Sequence, residues 1–270
     1  IIAQQESFYD KDHAKIKFSF ISSCIDKILN EKIDTEGNMT KKWSIFTNKE
    51  DNGKYIMKEI YQSLINKKID LEKVVGYGFG VPGPVVNGTV LQAVNIGWYN
   101  YDLALEFSQL VSNSNVHVGN DANVAALGEA FLGAGQGRKN VAMITLGTGV
   151  GCGIVVDGLI LEGYNGSSGE IGHLTIPQDN PFPCNCGKHG CLETVASATG
   201  IKNIYHRKVE NYNEDSVLLT VPKVSSKDIF DAAKNGDQLA TYVVQEAGYY
   251  IAYACHVLSI TTNPSIIVIG

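Results

Sequence analysis

Three thiols and at least one imidazole crowd one stretch of the chain. Pro183-Cys184-Asn185-Cys186-Gly187-Lys188-His189-Gly190-Cys191-Leu192-Glu193 carries Cys184, Cys186 and Cys191, with His189 inside it and His173 upstream. Three cysteines and a histidine are the donor set of a tetrahedral structural zinc site. Gly187 and Gly190 let the backbone turn tightly enough to bring the thiols together. The fourth ligand is His173 or His189. A disulfide between Cys184 and Cys186 is disfavoured, because residues that close rarely meet its Cα separation and dihedral. Cys24, Cys152 and Cys255 stand alone and read as small buried apolar residues. A metal-held loop is rigid, and a rigid loop can aim the polar residues beside it, here Glu170, His173 and Glu193.

Other residues suggest what such a loop serves. Val116-His117-Val118 reads as a strand that delivers Gly119-Asn120-Asp121 to the start of an alanine-rich helix over 122–132. A helix N-terminus favours negative charge, and a carboxylate there can take a proton from a hydroxyl. The plainer role for Asn120 or Asp121 is a helix cap. Leu146-Gly147-Thr148-Gly149-Val150-Gly151 is a glycine turn whose backbone N–H groups and Thr148 hydroxyl could cradle phosphate. It matches neither the Walker A pattern nor the dinucleotide fingerprint, and a plain hairpin turn is the alternative. Asn95, Asn120, Asp121, Glu170, His173 and Glu193 together form a set suited to the several hydroxyls of a polyol, because buried polar groups left unpaired are costly. If His173 gives one ring nitrogen to a metal, the other can donate to a sugar oxygen.

The elements that must position these residues are those of an α/β chain. Ile56, Ile60 and Leu64 give a helix over 52–67 an apolar stripe, with Asn52 a candidate cap. Strands are expected at 42–47, 73–79, 90–94, 116–118, 141–146 and 265–269. Asp157-Gly158 predicts a hairpin between 153–156 and 159–162, and Asn87-Gly88 a turn. Helices are expected at 103–111, 227–235 and 238–258. Gly80-Val81-Pro82-Gly83-Pro84 forms a stiff loop. Ile16–Ile28 fits either strand or helix, Glu36-Gly37-Asn38 a turn, and Tyr205–Ser226 a surface insertion. A composition shift near 112–118 divides the chain into 1–118 and 119–270. With 44% hydrophobic and 19% charged residues, the 270-residue chain is globular and long enough for two domains. A net charge of −6 argues against nucleic acid, which is held by surplus Lys and Arg. No apolar run reaches the ~20 residues that span a bilayer. The start is unlike a signal peptide, and the cysteine usage fits a reducing cytoplasm.

Taken in order, Gly80–Pro84, Asn95-Ile96-Gly97-Trp98, Asn120-Asp121-Ala122-Asn123, Leu146–Gly149, Gly169-Glu170-Ile171-Gly172-His173 and Cys184–Glu193 resemble the ROK family (repressor, open reading frame, kinase), especially its glucokinase branch. The resemblance covers roughly 37–270. It implies an actin-like ATPase (ribonuclease H-like) fold with a small and a large α/β domain flanking a cleft. The implied activity is ATP-dependent phosphorylation of a hexose, glucose first, at the 6-hydroxyl, with Mg2+ bridging the phosphates. Asp121 matches the catalytic base. Gly83, Asn95, Asn120, Glu170, His173 and Glu193 match sugar-side positions, and Gly147, Thr148 and Gly149 a phosphate turn. His173, Cys184, Cys186 and Cys191 match the zinc ligands. The family further implies a cytoplasmic homodimer or homotetramer in sugar metabolism and glycolysis.

The family's opening Asp-x-Gly-Gly-Thr turn is absent from residues 1–40, where Gly37 is the first glycine, and the chain stops at Ile269-Gly270. The start therefore reads as atypical, the end as truncated, and the whole as a partial gene product. Two other functions compete. A sugar-responsive transcriptional regulator would need a helix-turn-helix, and 1–34 is short and poorly patterned for one. An inactive sugar-binding fragment is the other.

Overall fold

The computed structural model describes residues 16–20 (backbone only), 27–34, 38–176 and 180–270. They fall into two compact units: unit 1 runs to Val141 and includes Gly153–Ser168, and unit 2 is Ala142–Cys152 with Gly169–Gly270.

Unit 1 is built on a five-stranded sheet in the order β3-β2-β1-β4-β8. Strands β1 (Ile16–Phe20), β2 (Lys27–Ile33) and β3 (Met39–Phe46) form an antiparallel meander. Strands β4 (Gly76–Val81) and β8 (Val116–Asn120) continue it in parallel with β1. A small antiparallel sheet follows the Pro82–Pro84 loop: β5 (Val85–Val86), β6 (Thr89–Ala93) and β7 (Trp98–Asp102). Its first turn is Asn87-Gly88, both at positive φ (49° and 81°), as a two-residue hairpin between right-twisted strands requires. The helices α1 (Ile56–Asn66) and α2 (Leu103–Val111) bury Ile56, Met57, Ile60, Leu64, Leu103 and Phe107. The Phe107 ring meets Phe79 of β4 edge-on at 4.8 Å, which ties α2 to the strand that leads into the Pro82–Pro84 loop. Strand β8 then feeds α3 (Asp121–Leu132).

A four-stranded sheet places β9 (Val141–Leu146) between β10 (Val150–Val156) and β12 (Ile266–Ile269); β11 (Leu159–Ile160) and the end of β10 that it pairs with across the Asp157-Gly158 turn fall in the Gly153–Ser168 segment counted with unit 1. Unit 2 also holds the helices α4 (Glu193–Ala196), α5 (Ala198–Val209), α6 (Ser226–Lys234) and α7 (Gln238–Thr262). Ser225 and Asp228 form a reciprocal capping box on α6, and Asp237 caps α7 through the Ala240 N–H. Leu239, Val243, Ala247, Tyr250, Ala254 and Leu258 make the buried stripe of α7.

The structure departs from the sequence reading in several places. Asn52 caps nothing: it sits at φ 58° in a turn, and α1 begins at Ile56 without a side-chain cap. The stretch 205–226 lies largely at the surface, with no buried residue over 206–217, but its ends are tied into the unit. Helix α5 runs through Tyr205, and Tyr205, Leu218 and Val224 are all buried. The signal was present, since Ile201, Ile204 and Tyr205 repeat at helical spacing. Strands β2 and β7 escaped notice because their apolar residues do not alternate cleanly. Glu36-Gly37 of the expected turn, and Cys24, lie outside the described residues. Cys152 is buried as expected, whereas Cys255 is half-buried.

Candidate functional site

The thiol cluster forms. The donor atoms of His173, Cys184, Cys186 and Cys191 lie within 4.8 Å of one another. Cys186 Sγ is 3.6 Å from Cys191 Sγ, and Cys184 Sγ is 3.5 Å from His173 Nδ1. A tetrahedral zinc with Zn–S bonds of about 2.3 Å separates its sulfurs by about 3.8 Å, so the donor set fits the ion. His189 is not part of this set; it is exposed and forms a bridge with Pro183. Gly187 and Gly190 make the knuckle with φ of 86° and 77°, a conformation open to glycine. Burial pushes the Cys184 thiol up and the Cys191 thiol up to about 12, while the Lys188 backbone N–H draws the Cys186 thiol down. Buried thiols this close resist ionising together, and a divalent cation removes that cost.

The loop is held from behind by Asn180. This buried amide donates to Thr194 Oγ1 (3.0 Å) and accepts from the Phe182 N–H (3.2 Å). Nothing in the sequence marks Asn180, because its partner lies fourteen residues on. In front, His173 turns Nε2 toward Glu170, whose Oε2 is 3.9 Å away. Both side chains are partly open to solvent.

Glu193 begins α4 directly after the cluster. Its Oε2 accepts the Val150 N–H at 3.1 Å, and its Oε1 lies 3.8 Å from Cys184 Sγ. Val150 closes the Gly147–Gly149 turn between β9 and β10. Gly149 is tight against this carboxylate: a Cβ there would fall 2.1 Å from Glu193 Oε2. At the other end of the turn, the Gly147 carbonyl accepts the Ala198 N–H of α5 (2.9 Å). Thr148 is exposed at its tip. Unit 2 thus gathers Glu170, His173, Glu193, the three thiols and the glycine turn.

Unit 1 gathers the others. Asn120 is the N-cap of α3, its Oδ1 accepting from the Ala122 and Asn123 N–H groups at 3.0 and 3.2 Å. Its Nδ2 donates to the Gly83 carbonyl at 3.1 Å, tying the Pro82–Pro84 loop to the helix start. Gly83 has φ 90°, and a Cβ on it would strike the Gln92 carbonyl oxygen at 2.0 Å. Asp121 is the first residue of α3, half-buried, with Oδ1 2.9 Å from the Ala122 nitrogen. Asn95 is exposed in the turn between β6 and β7, where the Ala93 carbonyl accepts the Ile96 and Gly97 N–H groups. Asn120 makes the cap to the Ala122 and Asn123 N–H groups, and Asp121, the next residue, accepts the Ala122 N–H through its own Oδ1.

The ROK family's sequence pattern matches residues 25–270. A glucokinase of Halalkalibacterium halodurans is 44% identical over 247 residues, covering 88% of this chain and 74% of that protein. Among solved structures, a ROK family transcriptional regulator, a homologue of the E. coli MLC protein, superposes with a TM-score of 0.84 at 30% identity, covering 95% of this chain and 65% of the other. A ROK family glucokinase from Streptomyces griseus, in complex with glucose and AMPPNP, does so with a TM-score of 0.77 at 30% identity, covering 95% of this chain and 83% of the other. The α/β architecture is therefore that of the ROK sugar kinases, of the actin-like ATPase type. With its pattern matched across nearly the whole chain, this protein belongs to the ROK family.

Proposed function

We propose that the protein is a sugar kinase that transfers the γ-phosphoryl group of ATP to a hexose, glucose first, with Asp121 as general base. The observation that carries this reading is the carboxylate of Asp121 at the start of α3, directly after the Asn120 cap. Asn120 caps the helix and ties down the Gly83 loop, which fixes the backbone that presents the Asp121 carboxylate at the helix start, where negative charge is favoured. The glucokinase relative supports the same reaction.

Each group has a role in this reading. Asp121 accepts the proton of the attacking hydroxyl, at the 6-position of the sugar. Asn95, Asn120, Gly83, Glu170, His173 and Glu193 bind and orient the sugar. The Gly147-Thr148-Gly149 turn offers backbone N–H groups and a hydroxyl to phosphate oxygens. Mg2+, when bound with ATP, neutralises charge on the phosphates. A structural zinc held by His173, Cys184, Cys186 and Cys191 keeps the Glu170–Glu193 segment in shape. The rest of the reading is a cytoplasmic homodimer or homotetramer in glycolytic sugar metabolism.

A second reading, a sugar-responsive regulator, is favoured by the structural likeness to a ROK transcriptional regulator. A coupled assay with glucose and ATP, alongside calorimetric titration of glucose, separates the two. The kinase reading expects turnover that falls by roughly 10²–10⁴ in Asp121→Asn with sugar affinity kept. Sugar binding without turnover in the unaltered protein would overturn it in favour of the regulator or a sugar-binding module.

A further inference from the structure

Both arms of the thiol cluster grip one residue. The arm that ends in Cys191 continues to Glu193, whose carboxylate accepts the Val150 N–H at 3.1 Å. The arm that carries His173 includes Gly172, where a Cβ would fall 2.1 Å from the Val150 carbonyl oxygen, so this backbone lies flat against the other side of the same residue. Val150 is the buried residue that ends the Gly147–Gly149 turn. We propose that Glu193 is a positioning residue: filling the cluster with zinc fixes Glu193 and Gly172 against Val150 and so sets the shape of the glycine turn.

The argument is mechanical. Four ligand bonds fix the distance between the Gly169–His173 and Cys184–Cys191 segments. Without them the segments are joined by hydrogen bonds such as Leu192 N–H to the Leu174 carbonyl (2.9 Å) and Ile176 N–H to the Gly190 carbonyl (2.9 Å). Glu193 is two residues from a ligand, and its Oε1 lies 3.8 Å from the Sγ of another, Cys184. Its aim therefore follows the cluster. A charged acceptor on a backbone N–H makes one of the stronger hydrogen bonds available, so the aim of Glu193 is felt at Val150. The functional meaning of the link rests on the kinase reading, in which the turn receives phosphate; the link itself does not.

Gly149 supplies a clean probe. Its φ lies outside the positive range, so alanine is tolerated by the backbone, and the atoms a Cβ would meet all belong to the Glu193 side chain. Gly149→Ala should push the carboxylate off Val150 while leaving the metal in place. Amide hydrogen exchange at Val150, read by NMR on the zinc-loaded protein and again after chelation, tests the link. The zinc-loaded protein should protect Val150 about tenfold or more over the chelated one. Glu193→Ala and Gly149→Ala should lose that protection with zinc still bound, and Glu193→Gln, which retains an acceptor, should keep it. In the Glu193→Ala background, Gly149→Ala should add nothing. Protection at Val150 that ignores zinc, or that survives in zinc-bound Gly149→Ala, would overturn the proposal. A protein without kinase turnover but with zinc-dependent protection would sink the functional reading and leave this one standing.

Discussion

In unit 1, Asp121 stands where a strand, a helix cap and a loop carbonyl meet. Every one of those constraints is an ordinary backbone or amide hydrogen bond. In unit 2, Glu193 stands where three thiols and an imidazole converge, and two of those thiols are pushed up by burial. The first arrangement is complete once the chain has folded. The second brings together donors that do not favour one another until a cation joins them. One polypeptide thus positions two carboxylates by different means, and in the link proposed above only one of them depends on metal supply.

The largest effect should come from breaking the metal-dependent side. Cys186 is the exposed thiol of the cluster, so Cys186→Ser costs little packing and reports the metal. Purified wild type should carry zinc by elemental analysis and the variant little or none. The variant should melt lower in the presence of zinc and together with wild type once a chelator is added. Zinc retained at wild-type level would defeat the ligand assignment. The unit 1 side breaks differently. Gly83→Ala forces a side chain into φ 90° and against the Gln92 carbonyl, at a cost of about 3 kcal/mol or more in denaturant unfolding. Its zinc content should be unchanged, because nothing in the Gly83–Asn120 contact involves the cluster. A loss of zinc in Gly83→Ala would show that the two arrangements are not separable in this way.

What could be read from the sequence follows the same division. The thiols lie within eight positions of one another and carry their own spacing rule, so the cluster was legible as a local pattern. The two Asn-Gly and Asp-Gly turns were legible for the same reason: positive φ at both residues selects those types. The link from Glu193 to Val150 spans forty-three residues, and the tie from Asn120 to Gly83 thirty-seven. No local periodicity encodes such a partner. Asn52 failed as a cap for a related reason. Asparagine suits both a cap and a left-handed turn, and the neighbouring Asp51 and Gly53, also at positive φ, decided for the turn. Strand β2, Lys27–Ile33, buries Asn30 fully, so its pattern of side chains argues against a strand although the sheet accepts it.

The smallest effect concerns the support behind the loop. The Arg207 guanidinium lies over the Phe182 ring at 5.7 Å, and the Phe182 carbonyl accepts the Gly190 N–H of the knuckle. Arg207 also pairs with Glu246 of α7, which Lys208 engages at 2.7 Å. Burial opposes the charge on Glu246, but the hydrogen bonds from Lys208 and Arg207 outweigh it and hold the carboxyl below its usual range. A lowered folded value means stability that is present above the unfolded value of about 4.3 and is lost as pH falls through the folded one. Glu246→Gln should therefore cost about 1–2 kcal/mol at pH 7 and nothing once the carboxyl is protonated in acid. Because acid also strips metal from thiols, the comparison belongs in the Cys186→Ser background, with urea midpoints measured at both pH values. If the pair matters only to the helices, Glu246→Gln in the otherwise unaltered protein will leave zinc affinity untouched. If Arg207 must be held for Phe182 to seat the knuckle, zinc affinity will fall as well, and the metal-dependent side will prove to be partly built by the fold.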